Sequence, residues 1–420
     1  MKKVLIALFL IGLILTLFVS CGKRDNPVRP NYPYIEPWSS GTWNFESLQG
    51  NKMEDLFLKN LYVYLPPIYS EDMGHNPGLP GSGFSVLYLL HDFGEDYSTF
   101  VGVYKIGQVA DRLFYEGQIQ PMIIVMPDAY SRSLGGSFYT NSTIDQFSSL
   151  IGRYEDYITE EIMDSIDALF HTYVVKPGEV ILPDPDYRAI SGLGMGGYGA
   201  LKFAFDHDTL FTSVSAMNPY TSLESFLSQE TINKVFEENG ITSGDNSLAS
   251  YKSITPYPDT LYPDKTFTQL VFAMAGSFSP AVRNVGDPDT LQFFELKAAG
   301  AKRYGVELPF DSNRTIQPGS AVWNKWLLFD LKNKLANDPD GFKDLDVYLE
   351  CGDQNELGLL DGARTFDQLL SLYGKEHEYK EYSGYPGLPA GQNDFIYDRL
   401  EEILKFHSRN FPPPAYRGAE

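Results

Sequence analysis

Residues 191–200 read SGLGMGGYGA, between a strand-like run, YRAI, and a helix-like run, LKFAFDH. A strand that passes through a tight glycine-rich turn into a helix is where the pattern G-x-S-x-G presents a serine for acyl transfer. The middle position of GLGMG is Gly194, so this turn offers no hydroxyl. Ser191 lies three residues earlier, on the strand, and reads as a small packing residue. Cys351 ends another strand-like run and reads as a buried, inert cysteine. His171, His207, His377 and His407 fall on helices or surface segments without a partner pattern. The Asp-Pro-Asp pairs in PDPDY and GDPDT could hold calcium, but such pairs more often cap turns. There is no HExxH, no Cys/His cluster and no dinucleotide fingerprint, so neither metal nor cofactor is expected. GLGMGG does contain G-x-G, but the strand–turn–helix context explains it better than a phosphate loop.

The elements that would position this turn alternate between strand and helix. SVLYLLHD (Ser85–Asp92) and PMIIVMPDA (Pro121–Ala129) are continuous apolar runs, as buried parallel strands are. NLYVYLPP (Asn60–Pro67) alternates like an outer strand. YRAISGLG, FTSVSAMNP (Phe211–Pro219), TFTQLVFAMAG (Thr266–Gly276), LDVYLECG (Leu345–Gly352) and HEYKEYSG read as further strands. Tyr154–Phe170, GYGALKFAF, ARTFDQLLSLYG and YDRLEEILKFHS read as helices, the first with acidic residues early, where the helix dipole favours them. This alternation predicts an α/β fold, a mostly parallel central sheet with helices on both faces. The polar stretch Ser279–Trp323, rich in Gly, Pro and Asp, is expected as a long insertion near the C-terminal edge of the sheet, where such folds place ligands.

The order of these segments resembles the putative esterase family of α/β-hydrolases, which includes feruloyl esterases, S-formylglutathione hydrolase, enterochelin esterases and mycolyltransferases. VLYLLHDFGEDYSTF, IIVMPDA, GGSFYTNS with GRYEDYITEEI, RAISGLGMGGYGALKFAF, FAMAGSFSP, YLECGDQNEL and GQNDFIYDRLEEILKFHS match its landmarks in sequence order. The resemblance covers most of the globular part and implies the α/β-hydrolase fold and carboxylic-ester chemistry. Carried over position by position, the family's serine falls on Gly194, its acid on Asn355 and its histidine on Gln392. The oxyanion hole would be formed by the backbone N–H groups of Phe93, or a neighbour, and Met195. Two glycines of the family's loop there are Asp92 and Glu95, and His91 falls on a histidine that is usually structural. Asp92 could point into the pocket, where it would repel an oxyanion, or could be a solvated loop residue.

Each substitution removes a distinct part of the chemistry. Gly194 cannot attack, and Gln392 cannot exchange a proton near neutral pH. Asn355 keeps the shape of an aspartate without its charge. Asn355 and Gln392 could still bond to each other as neutral amides. The leading expectation is therefore a catalytically inactive pseudo-esterase that binds an acylated or aromatic glycan, an idea prompted by its 28 Tyr and 28 Phe residues. One alternative is an active feruloyl-esterase-type hydrolase with a displaced site, using His91 or a residue of the insertion. Another is a structural component of a cell-surface complex. The triple reversion Gly194→Ser, Asn355→Asp, Gln392→His is expected to restore esterase activity if the site has kept its shape.

The N-terminus carries two lysines, an apolar run from Val4 to Val19, and Cys21 after FVS. This predicts an export signal over 1–20 and a bacterial lipoprotein acylated at Cys21, with an ordinary secretory signal or an uncleaved anchor as alternatives. Residues 21–37 read as a Pro-rich tether, 38–411 as the α/β-hydrolase domain and 412–420 as a disordered tail. The globular part would then sit in the cell envelope, outside the cytoplasm, held to the membrane by the N-terminal lipid. A net charge of −22 excludes a nucleic-acid partner and supplies no polybasic patch for anionic lipid. With only two cysteines, one of them Cys21, no disulfide framework is expected.

Overall fold

Alternate side chains of the central strands enter two different apolar cores, which is what a sheet covered on both faces requires. Val86, Tyr88 and Leu90 join one core, and Leu87 and Leu89 the other. Ile123 and Val125 likewise oppose Ile124 and Met126. The computed structural model describes residues 41–69, 83–142, 150–175, 182–383 and 390–413, all within a unit spanning Ile35–Glu420. The expected signal (1–20), Cys21, the tether (21–37) and most of the tail (412–420) lie outside the described residues.

The main sheet has eight strands: β1 (Gly41–Asn44), β2 (Leu58–Tyr64), β3 (Ser85–Leu90), β4 (Met122–Pro127), β5 (Arg188–Leu193), β6 (Ser213–Met217), β7 (Asp346–Gly352) and β8 (His377–Tyr382). Their spatial order is β1-β2-β4-β3-β5-β6-β7-β8. β2 runs antiparallel to both of its neighbours, and every pairing from β4 onward is parallel. This is the expected α/β-hydrolase arrangement.

One core is roofed by α3 (Met195–Asp206), α4 (Thr266–Phe278) and α5 (Leu360–Leu372), together with α2, a helical run of Tyr154–Asp156, a π-helical turn at Tyr157–Ile162, and Met163–Leu169. The other core is covered by α1 (Ile106–Tyr115) and α6 (Ile396–Asn410).

One expectation is corrected. Thr266–Gly276 was expected to be a strand and is instead most of α4. An apolar run has the same appearance in a buried helix and a buried strand, and thirteen residues is helix length. The Ser279–Trp323 stretch carries its own antiparallel sheet, ordered Pro280–Asn284, Lys302–Glu307, Phe293–Ala299. Among the described residues it makes no hydrogen bond to Asp92, Asn355 or Gln392.

The parallel strands all point their C-terminal ends the same way, so the turns after β3, β5, β6 and β7 and the segment leading into α6 meet at one edge. The site lies there.

Candidate functional site

β5 ends at Leu193, and the chain turns at Gly194 with φ +54 and ψ −111 before entering α3. Glycine populates positive φ readily, whereas other residues adopt it only under strain. The turn is tied to the next strand by the Gly194 N–H, which donates to the Met217 carbonyl at 2.8 Å. α3 lies so close to the sheet that a Cβ on Gly196 would sit 2.0 Å from the Leu90 carbonyl oxygen. The elbow is thus complete in its backbone.

What fills the elbow is Asp92. A Cβ on Gly194 would fall 1.9 Å from Asp92 Oδ1, so the carboxylate occupies the space of a side chain at the turn. Oδ1 accepts the N–H groups of Phe93 at 2.6 Å and Met195 at 2.7 Å. Oδ2 accepts Gln392 Nε2 at 2.7 Å. Gln392 Oε1 in turn accepts Asn355 Nδ2 at 2.6 Å. Asn355 Oδ1 takes the N–H groups of Leu357 and Leu359 at 3.0 and 3.2 Å. Each link pairs a donor with an acceptor, which fixes the orientation of both amides. Only a carboxylate, which accepts and does not donate, completes the row.

Asp92 is 5% exposed, so the solvated-loop alternative does not hold. Burial pushes its carboxyl pKa up, against the pull of the donors from Gln392, Met195 and Phe93. Glu95 stands behind it: Oε2 accepts the Asp92 N–H at 3.2 Å and Oε1 accepts the Tyr104 hydroxyl at 2.7 Å. Burial first, and the charge of Asp92 next, raise the Glu95 carboxyl to about 7.

His91 is locked out of proton transfer. Nε2 accepts the Ala129 N–H at 2.9 Å, so Nδ1 must carry the proton, which it donates to the Asp92 carbonyl at 2.8 Å. Burial lowers its pKa to about 4. A neutral ring with both nitrogens engaged braces the β3 turn and has no free lone pair to act as a base.

A family model described as "Putative esterase" matches residues 59–397. The chain belongs to that family. It is 33% identical over 169 residues to an esterase of Mycobacterium tuberculosis, covering 36% of this chain and 31% of the relative. It is 32% identical over 136 residues to an endo-1,4-beta-xylanase/feruloyl esterase of Xylanibacter ruminicola, covering 32% of this chain and 16% of that one. The chain therefore spans about a third or less of these relatives. Among solved structures, a ferulic acid esterase aligns at TM-score 0.49 with 18% identity, over 89% of this chain and 98% of that one.

In this member of the esterase family, Gly194, Asn355 and Gln392 form one cluster, and Asp92 joins them. The amides of Phe93 and Met195 converge on a single oxygen. Ser191 and Cys351 stay out of the cluster: Ser191 Oγ accepts Ser215 Oγ at 2.7 Å, and burial lifts the Cys351 thiol to about 12. The Asp-Pro-Asp pairs cap turns, with Asp184 accepting the Asp186 N–H and Asp287 that of Asn284. Three histidines expected to lack partners have them. His207 meets Glu155 and His377 meets Asp367, both at 2.9 Å. His407 is fully buried between Ser213 and Ser215, at 2.8 and 2.7 Å.

Two positioning residues escaped the sequence. Asn218, at positive φ after β6, donates to the Gln392 carbonyl at 2.6 Å and accepts the Gly352 N–H at 2.7 Å. Arg399, on α6, also reaches the Gln392 carbonyl, at 3.1 Å, while its Nε bonds Glu350. Asn is among the few side chains that tolerate positive φ, so the MNP turn at 217–219 was the available signal for Asn218. Arg399 had none, because an arginine on an amphipathic helix normally reads as solvated.

Proposed function

We propose that this chain is an esterase-family receptor whose serine route is closed, and that it binds an ester- or glycan-type ligand from the cell envelope, where acylation at Cys21 would hold it. The observation that carries this reading is the Asp92 carboxylate, seated on the two N–H groups that would stabilise an oxyanion. A hole already occupied by negative charge cannot stabilise another. The elbow supplies no nucleophile, and His91 cannot serve as a displaced base. The acylated or aromatic glycan is suggested by the feruloyl esterase among the relatives and by the aromatic composition.

The test is hydrolysis of short p-nitrophenyl esters, with fluorophosphonate labelling alongside. The expected result is no turnover and no label in the wild type. Turnover abolished by one substitution would overturn the proposal and establish a displaced active site. The structure also changes what a reversion must contain. Gly194→Ser, Asn355→Asp, Gln392→His alone places the new side chain against Asp92 and should stay inert. Adding Asp92→Gly clears both the elbow and the hole, and hydrolysis is expected to rise at least about tenfold over the triple variant.

A further inference from the structure

A cleft of about 340 Å³ is lined in part by Phe93, the residue whose N–H feeds the Asp92 carboxylate. That is within the range of small-molecule sites, which pair apolar and aromatic walls with a few polar groups. Its walls include Phe93, Tyr130, Leu134 and Tyr257, with Arg132 and Gln269 as polar members. Tyr257 is 46% exposed, an aromatic side chain left uncovered beside a concave surface.

Arg132 is the unusual member. The chain holds 55 acidic residues against 33 Lys and Arg. Among the described residues, every other arginine is engaged. Eight pair with carboxylates, and Arg314 bonds Asn233 and backbone carbonyls. Arg132 uses only its backbone N–H, which donates to Asp55 at 2.8 Å. Its guanidinium has no hydrogen bond or ion pair among the described residues. In so acidic a molecule, an uncommitted guanidinium on a cleft wall is a ready partner for a carboxylate from outside, which it can grip in bidentate fashion.

We propose that this cleft binds a six-membered ring bearing a carboxylate, with the ring against Tyr257 and the carboxylate on Arg132. The chemistry is shared by a uronic acid unit of a glycan and by an aromatic acid. The inference rests on the reading of this chain as a receptor, and it names the charge and place of the ligand. It does not depend on catalytic silence, since Asp92, Gly194, Asn355 and Gln392 do not line the cleft.

The experiment is calorimetric titration of the protein with glucuronate, 4-hydroxybenzoate, glucose and acetate. At least one ring acid should bind, with glucose and acetate each at least about tenfold weaker, because each lacks one of the two features. Saturation by glucuronate assigns the site to acidic glycans, and saturation by 4-hydroxybenzoate to aromatic acids. Arg132→Gln and Tyr257→Ala should each weaken binding at least about tenfold while leaving the melting temperature in place. The proposal is overturned if neither ring acid binds, or if Arg132→Gln binds as the wild type does. Ester hydrolysis measured on the same samples separates the two ideas, since turnover would sink the closed serine route and leave the cleft untouched.

Discussion

Asp92 and Glu350 are both carboxylates cut off from bulk water, at the C-terminal edge of the same sheet, yet they are held in opposite ways. Glu350 faces a full cation: the Arg399 guanidinium bonds one oxygen, and the Tyr348 hydroxyl the other at 2.9 Å. Both members of that ion pair are fully buried. Among the described residues, Asp92 has no cation partner. It rests on two backbone N–H groups and one amide. Gln392 joins the two arrangements, giving its side chain to Asp92 and its carbonyl to Arg399 and Asn218. The difference shows that one buried carboxyl group can be held by a full cation and another by oriented dipoles.

Breaking the ion pair should have the largest effect. Arg399→Leu strands Glu350 without its cation and frees the Gln392 carbonyl, at a cost of about 3–5 kcal/mol. Chemical denaturation should show the shift, and a loss under about 1 kcal/mol would mean the two carboxylates are held alike after all.

A third buried group sharpens the contrast by carrying no charge. His407 is neutral between two serines, and burial lowers its pKa to about 3. Its folded-state pKa lies below the unfolded value, so its stabilisation is present above about pH 6.5 and is lost as pH falls. Between pH 7 and 5 the stability gap between wild type and His407→Gln should close by about 2 kcal/mol. A gap independent of pH would show that the imidazole takes up a proton in place.

Asp92→Gly should have the smallest effect. Water can take over the three donors, and the variant should lie within about 1 kcal/mol of wild type at acid pH. Burial raises the Asp92 pKa on folding, so wild-type stability falls as pH climbs from the ordinary aspartate value through the folded one, and the variant should gain ground as pH rises. Acetate should raise the melting temperature of this variant and leave wild type unmoved. A large loss at every pH, without rescue by acetate, would mark Asp92 as a packing residue.

Much of this was legible in the sequence. The strands leading to the elbow and to Asn355 show as apolar runs, because burial on both faces leaves no room for polar residues. Gly194, Asn355 and Gln392 could be found through the order of the family's landmarks. The orientation of Asp92 could not, because it depends on Gln392, three hundred residues away in the chain, arriving with its amide turned the right way. Arg399 was hidden for the same reason, and Thr266–Phe278 because complete burial erases the periodicity that separates helix from strand.

The glycines of SGLGMGGYGA carry a last consequence. A Cβ at Gly192 would lie 2.2 Å from the Gly196 backbone, and one at Gly196 would press into β3. These positions are kept small by clearance between a helix and the strands beneath it, whether or not a serine stands between them. Glycine spacing of this kind is a caliper reading of backbone separation, and it says nothing of reactivity. A genome survey that counts hydrolases by that spacing would include this chain on the strength of its packing alone.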